Sequence, residues 1–130
     1  MATRSGSVDP GALLYLLRER LLTEEELEQA LEHESGLAGL SGGGSGDVRE
    51  ASPLALDVFV HQVAAAVAAR AAACDGIDVL AFTGGIGEHS RDVRERIVQR
   101  VRFLGDFRVE VVPSREELVI AAETRRLLGG

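Results

Sequence analysis

The sequence predicts a helix-rich α/β domain with a short parallel sheet. Three observations carry that prediction. Residues 77–82 and 107–112 are short apolar or β-branched runs with a helical segment between them; a helix between two strands implies a crossover and a parallel pair. Four further stretches repeat apolar residues at helical spacing. Glycine, proline and capping residues mark the boundaries.

Taken in order, Asp9-Pro10 opens the first helix, because Asp is a good N-cap and Pro suits the first turn. Leu13, Leu14 and Leu17 give it an apolar face to about Arg20. Thr23 starts a second helix, with Glu26 at the third position completing a capping box, Leu27 and Leu31 facing inward, and Ser35-Gly36 as the stop. Residues 39–46 read GLSGGGSG, the composition of a flexible linker. The long helix that follows, about 53–74, carries Leu56, Val60, Val63 and Val67 as a stripe and is expected to be the central core element. Asp75-Gly76 ends it. Residues 77–82 then form a strand expected to be buried, and Thr83-Gly84-Gly85-Ile86-Gly87 a tight loop. Ser90 is expected to cap the next helix, whose apolar side holds Ile97, Val101 and Leu104. Pro113 ends the second strand. Ser114 caps the last helix with Glu117 as a second capping-box acid, and that helix carries Leu118, Ala121, Ala122 and Leu127 to a stop at Gly129-Gly130. Two strands make a poor sheet, so a missing partner or segment is expected from the layout alone.

The bulk numbers narrow the classes of function. With 130 residues the chain holds one modest domain with its own core. Hydrophobic residues at 45% and charged residues at 27% are ordinary for a globular protein. A net charge of −7 argues against a nucleic-acid footprint, yet leaves room for one nucleotide held by local Arg and backbone N–H groups. The single cysteine, Cys74, permits no intrachain disulfide, which fits a reducing cytoplasmic setting; it is expected as a small buried hydrophobe. The first eleven residues are polar and glycine-rich, unlike a signal peptide. No membrane span is expected either, since His61, Gln62 and Arg70 interrupt the apolar run 58–73 and keep it short of the ~20 residues needed.

The glycine loop at 83–87 lies between a strand and a helix, where α/β proteins place nucleotides. On pattern alone it is as readily a simple turn. It lacks the Gly-Lys-Ser/Thr of a Walker loop and the GxGxxG spacing of a dinucleotide fold.

A collinear set of motifs strengthens the reading. Thr3-Arg4-Ser5-Gly6 with Val8-Asp9-Pro10, Ser35-Gly36-Leu37 with Gly39-Leu40-Ser41-Gly42, and Asp47-Val48-Arg49 come first. Leu56-Asp57-Val58-Phe59, Phe82-Thr83-Gly84-Gly85-Ile86-Gly87-Glu88, and Val112-Pro113 with Glu116-Glu117-Leu118 follow. Together they resemble the later part of acetate and butyrate kinases over nearly the whole chain. The resemblance implies a partial ribonuclease-H-like domain of the acetate and sugar kinase/heat-shock cognate/actin superfamily, with residues 1–130 as a C-terminal nucleotide-binding part. It implies ATP/ADP and a short-chain carboxylate as substrates, and Mg²⁺ as cofactor.

By the same resemblance, Arg4 matches the arginine that stabilises the transferring phosphoryl group, as a planar guanidinium clamping two oxygens is suited to do. Asp47, Val48 and Arg49 match residues at the adenine and ribose. Gly84, Gly85, Ile86, Gly87, Glu88 and His89 match the loop under the adenosine. Glu116 matches the carboxylate of the Mg²⁺ shell, where one Glu beside phosphates and water suffices. Each has a plainer alternative: a frayed terminal Arg4, Asp47 as a helix N-cap, a solvated His89, and Glu116 as favourable first-turn charge. His33 and His61 are expected in surface or core packing.

The chain also departs from the pattern. Ser7 stands where the family has Asp, and His89 where it has Asn. The connection between Arg49 and Pro53, and above all that between Gly105 and Phe107, is shorter than in the family, the second by at least one strand. The family's first domain, its phosphate loops, its early asparagine and its catalytic histidine have no counterpart here. The chain begins inside a motif, as expected of a gene fragment, a truncated reading frame or one half of a split pair. Three readings follow: a carboxylate kinase, a non-catalytic adenosine-nucleotide module, or a degenerate remnant. The expected partners are an N-terminal half in trans or a second copy, with no nucleic acid and no membrane.

Overall fold

The computed structural model describes residues 2–129. The readings that touch Met1 and Gly130 lie outside the described residues. The chain forms two compact units, Met1–Ala65 and Ala66–Gly130.

In the first unit, α1 (Pro10–Arg18) starts as its caps dictate: the Asp9 carboxylate accepts the Gly11 N–H at 2.6 Å, and Pro10 takes the first position. α2 (Glu24–His33) opens with the full capping box. The Glu26 N–H donates to Thr23 Oγ1 at 3.2 Å, and Glu26 Oε2 accepts the Thr23 N–H at 2.7 Å. Beyond α2 the chain does not become a linker. Residues Gly36–Leu40 form a short helix, α3, in which Gly36, Leu37 and Ala38 are buried. Gly39 has a packing reason: a Cβ there would collide with the Glu34 carbonyl oxygen. The glycine-rich composition therefore reflects close approach in its first half, while Gly42 and Gly43 adopt positive φ in the turn that follows.

The extended N-terminal segment is laced to this part of the unit. Ser5 N–H donates to the Leu31 carbonyl at 3.0 Å, Ser35 N–H to Thr3 at 2.8 Å, and Ala38 N–H to Ala2 at 3.0 Å. The Thr3 hydroxyl donates to the Glu32 carbonyl at 3.0 Å.

α4 (Pro53–Ala73) begins in the first unit and continues into the second. Its buried positions are Ala55, Val60, Ala64 and Ala71, a stripe rotated from the one expected. Of the expected stripe only Val60 is buried; Leu56, Val63 and Val67 are partly exposed. Alanine and valine cover so much of this helix that periodicity alone does not choose the inward face. It is also the one helix among the described residues long and apolar enough, by length and composition, to cross a membrane. The helix runs unbroken through His61, Gln62 and Arg70, as its predicted span of about 53–74 requires. Cys74 is exposed rather than buried, because it lies past the last buried position in the turn where Asp75 (φ 58°) reverses the chain.

In the second unit, β1 (Val79–Phe82) and β2 (Arg108–Val111) form the expected parallel pair, in register Val79↔Arg108 to Phe82↔Val111. α5 (Gly84–His89) and α6 (Arg91–Val101) make the crossover, and a 3-10 turn, Arg102–Leu104, follows α6. Val93, Ile97 and Val101 on α6, with Phe82 and Ala71, are the buried side chains of this unit. β1 is less buried than expected, with Phe82 its one buried residue, and every residue of β2 is exposed. α7 (Glu116–Leu127) buries nothing, so its expected apolar side faces out.

Candidate functional site

The loop after β1 is not an open turn. Gly84 takes φ 72°, a left-handed conformation that a side chain would strain, and residues Gly84–His89 wind into α5. Gly85 has ordinary φ, and a Cβ there would meet no atom within 4 Å, so the conformational requirement lies one residue earlier than the glycine pair suggests. The carboxylate of Glu88 turns back on its own helix, accepting the Gly84 N–H at 2.8 Å. The same oxygen accepts the Ser114 N–H, also at 2.8 Å. Together with the Ser114 hydroxyl, these donors hold the Glu88 carboxyl below the usual carboxylate range, Ser114 making the largest contribution.

Ser114, so attached, does not cap α7. α7 starts at Glu116 with Arg115 in the cap position and no side-chain cap bond, so the Ser114–Glu117 capping box does not form. Ser90 likewise stands at the N-cap of α6 without a capping side-chain bond. The job of fixing the α5–α6 junction falls to Arg94, whose Nη1 donates to the carbonyls of Gly87 at 2.9 Å and Glu88 at 2.8 Å. His89 is exposed. Glu116 lies two residues beyond Ser114, exposed in the first turn of α7.

In the first unit, Asp47 and Arg49 are brought together. Asp47 accepts the Arg49 backbone N–H at 2.9 Å and Nε at 3.0 Å, and its other oxygen pairs with Nη2. The Arg49 guanidinium, then its backbone N–H, hold the Asp47 carboxyl down to about 2. Residues 48–50 are a turn, so Asp47 caps a turn rather than a helix. Val48 between them is partly exposed. Arg4 is not frayed in its backbone, whose neighbours Thr3 and Ser5 are tied to α2 and Ser35. Its side chain is 74% exposed and pairs with Glu32 at 3.0 Å. Such an exposed pair is weak enough to exchange for a phosphoryl group.

Among the described residues no group of three or more His, Cys, Asp or Glu side chains gathers to hold a metal. One exposed carboxylate at Glu116 fits an ion held mainly by phosphates and water, and does not fit a protein cage. The sequence reading missed Glu32, Arg94 and the backbone of Ser114. Arg94 is one of several arginines on α6, and nothing in the spacing marks it out.

These features define a class: a parallel α/β unit with a glycine segment after one strand and an acidic first helical turn after its neighbour. Residues 1–124 match the acetokinase family, and the chain belongs to that family. It is similar to acetate kinase of Rhodopseudomonas palustris (strain TIE-1), 36% identical over 159 aligned positions that cover all of this chain and 40% of that protein. Its fold matches the crystal structure of Porphyromonas gingivalis acetate kinase with a TM-score of 0.85 and 32% identity, covering 98% of this chain and 40% of that one. A propionate kinase from Francisella tularensis subsp. tularensis SCHU S4 matches with a TM-score of 0.84 and 30% identity, over 93% of this chain and 38% of that one. The chain spans 28–40% of the length of the curated relatives it matches.

Proposed function

We propose that this chain is the C-terminal, nucleotide-binding portion of an acetate kinase-type phosphotransferase, internally shortened, and that it works with the N-terminal portion of such an enzyme. The observation that carries the reading is the family match over residues 1–124, with the glycine segment Gly84–His89 standing directly after β1. The alignment of 159 positions against 130 residues supports the internal shortening.

In the complete reaction a carboxylate oxygen of acetate or a similar short-chain acid attacks the γ-phosphorus of ATP. The new P–O bond forms as the bond to the β-phosphate bridge breaks, giving acyl phosphate and ADP. Catalysis of this kind is mostly positioning and electrostatics. Arg4 leaves Glu32 to clamp the phosphoryl oxygens. Asp47, Val48 and Arg49 meet the ribose and base, and the backbone of residues 84–87 lies under the adenosine with Glu88 and His89 behind it. Glu116 would hold Mg²⁺, which supplies neutralisation of phosphate charge. The setting is the cytoplasm, and the partner is an N-terminal half in trans or a second copy. A second reading, a nucleotide-binding module without chemistry, draws support from the exposed face of α7.

A hydroxamate assay separates the two. The chain alone is expected to give no acyl phosphate from ATP with acetate or propionate, and turnover is expected on adding the N-terminal portion of a relative. Turnover by the chain alone within the ordinary range of about 1–10³ s⁻¹ would overturn the need for that portion. Calorimetry supplies the binding test: ADP and AMP are expected to bind with nearly equal affinity, and a clear preference for ADP would place phosphate contacts in this chain.

A further inference from the structure

We propose that Glu88 is a positioning residue whose carboxylate ties the glycine segment after β1 to the turn that enters α7, holding the nucleotide loop and the Glu116 segment as one piece. The two strands are paired to their ends, where the Val112 N–H donates to the Phe82 carbonyl at 2.8 Å. Two residues farther along each strand stand Gly84 and Ser114. Past the last ladder bond parallel strands have no backbone reason to stay together. Here one oxygen of Glu88 receives both N–H groups, each at 2.8 Å, across a separation of 26 residues between Glu88 and Ser114. The carboxylate thus continues the sheet where its own hydrogen bonds stop.

The tie is itself anchored. Arg94 on α6 holds the Gly87 and Glu88 carbonyls and so fixes the backbone from which the carboxylate hangs. Gly84, at φ 72°, directs its N–H to that oxygen. Hydrogen bonds from Ser114, then Gly84, hold the Glu88 carboxyl below the usual carboxylate range, in keeping with a carboxylate occupied by donors from the chain. The consequence for function rests on the nucleotide reading above: Glu88 acts on the nucleotide only through the loop it positions.

The geometry makes a specific demand. Both donors converge on one oxygen, so a glutamine amide oxygen can accept both, and charge is dispensable. Amide hydrogen exchange by NMR and ADP calorimetry on the full chain test this with Glu88→Gln and Glu88→Ala. Slow exchange at Gly84 and Ser114 is expected in the native chain and in E88Q, with ADP affinity within about twofold. E88A is expected to release both amides and to weaken ADP on the order of tenfold. Protected amides in E88A with unchanged ADP affinity would overturn the proposal. So would an E88Q that keeps both amides protected yet loses ADP, since the carboxylate would then touch the ligand directly. If E88A does not fold, the native chain and E88Q decide the matter by those same two measurements. A native chain that binds no ADP defeats the nucleotide reading, and the amides then judge the tie alone.

Discussion

α6 and α7 lie in the same unit, have 11 and 12 residues, and fare oppositely. On α6, Val93, Ile97 and Val101 recur every four residues and are all buried. On α7, Leu118, Val119 and Ile120 are consecutive and all exposed, with Leu127 beyond them. Three apolar residues in a row point in three directions around a helix, so no single face can cover them. The difference teaches that apolar content and burial are separate properties. β2 and α7 leave apolar side chains exposed, and they set the terms of the following tests.

The largest contrast comes from placing a carboxylate on each helix. Ile97 is 2% exposed and Ile120 is 65% exposed. Ile97→Asp is expected to unfold the second unit, since an unpaired buried carboxylate costs several kcal/mol. Ile120→Asp is expected to shift stability by no more than about 0.5 kcal/mol. Urea titration followed by circular dichroism checks both, and equal destabilisation would break the comparison. In α4 the corresponding probe is Val60→Asp rather than a change at Val63, which is only partly buried.

The glycine pair at the start of α5 provides the next contrast. Gly84→Ala is expected to cost about 1–2 kcal/mol because φ is 72° there. Gly85→Ala, at ordinary φ with open space, is expected to stay within about 0.5 kcal/mol. Comparable losses at both positions would show that α5 is not built as described.

Capping separates the helices more gently. Thr23→Ala removes a formed capping box and is expected to cost about 1 kcal/mol. Glu117→Ala removes an acid that closes no capping box at the start of α7, and is expected to leave the thermal midpoint unchanged. A drop for Glu117→Ala equal to that for Thr23→Ala would restore the second capping box.

The smallest effect concerns pH. Asp47 is held from 3.8 down to about 2 by Arg49. A depressed acid stabilises the fold above its unfolded pKa and loses that contribution as pH falls through the folded value. The contribution of Asp47 should therefore be complete above about pH 4 and fade toward pH 2. Chemical-shift titration of Asp47 is expected to show a midpoint near 2 that returns toward 3.8 in Arg49→Ala. An unmoved midpoint would remove Arg49 as the cause.

Much of the fold was legible in the residues, and the gaps have identifiable causes. The parallel pair followed from a helix between two strands. The start of α2 followed from Thr23 and Glu26, because a capping box closes within four residues and needs nothing from elsewhere. Ser114 and Glu117 have the same pattern and form no capping box; the Ser114 N–H, which that box would give to Glu117, goes instead to Glu88, 26 residues away. The inward face of α4 was misjudged because a helix of alanines and valines looks alike from every side. Residues 39–46 looked like a linker by composition, yet Gly39 is there to admit the Glu34 carbonyl.

By itself the sequence determined what is local or carried by motif: the starts of α1 and α2, the strand–helix–strand order, the glycine segment and the membership in the acetokinase family. Tertiary structure alone decided which face of α4 is buried, which glycine needs left-handed backbone, and that Glu88 joins the ends of both strands. The physical reason is range. Caps and turns are settled by neighbours a few residues apart, whereas burial and a shared carboxylate depend on groups that meet only after the chain has folded back on itself.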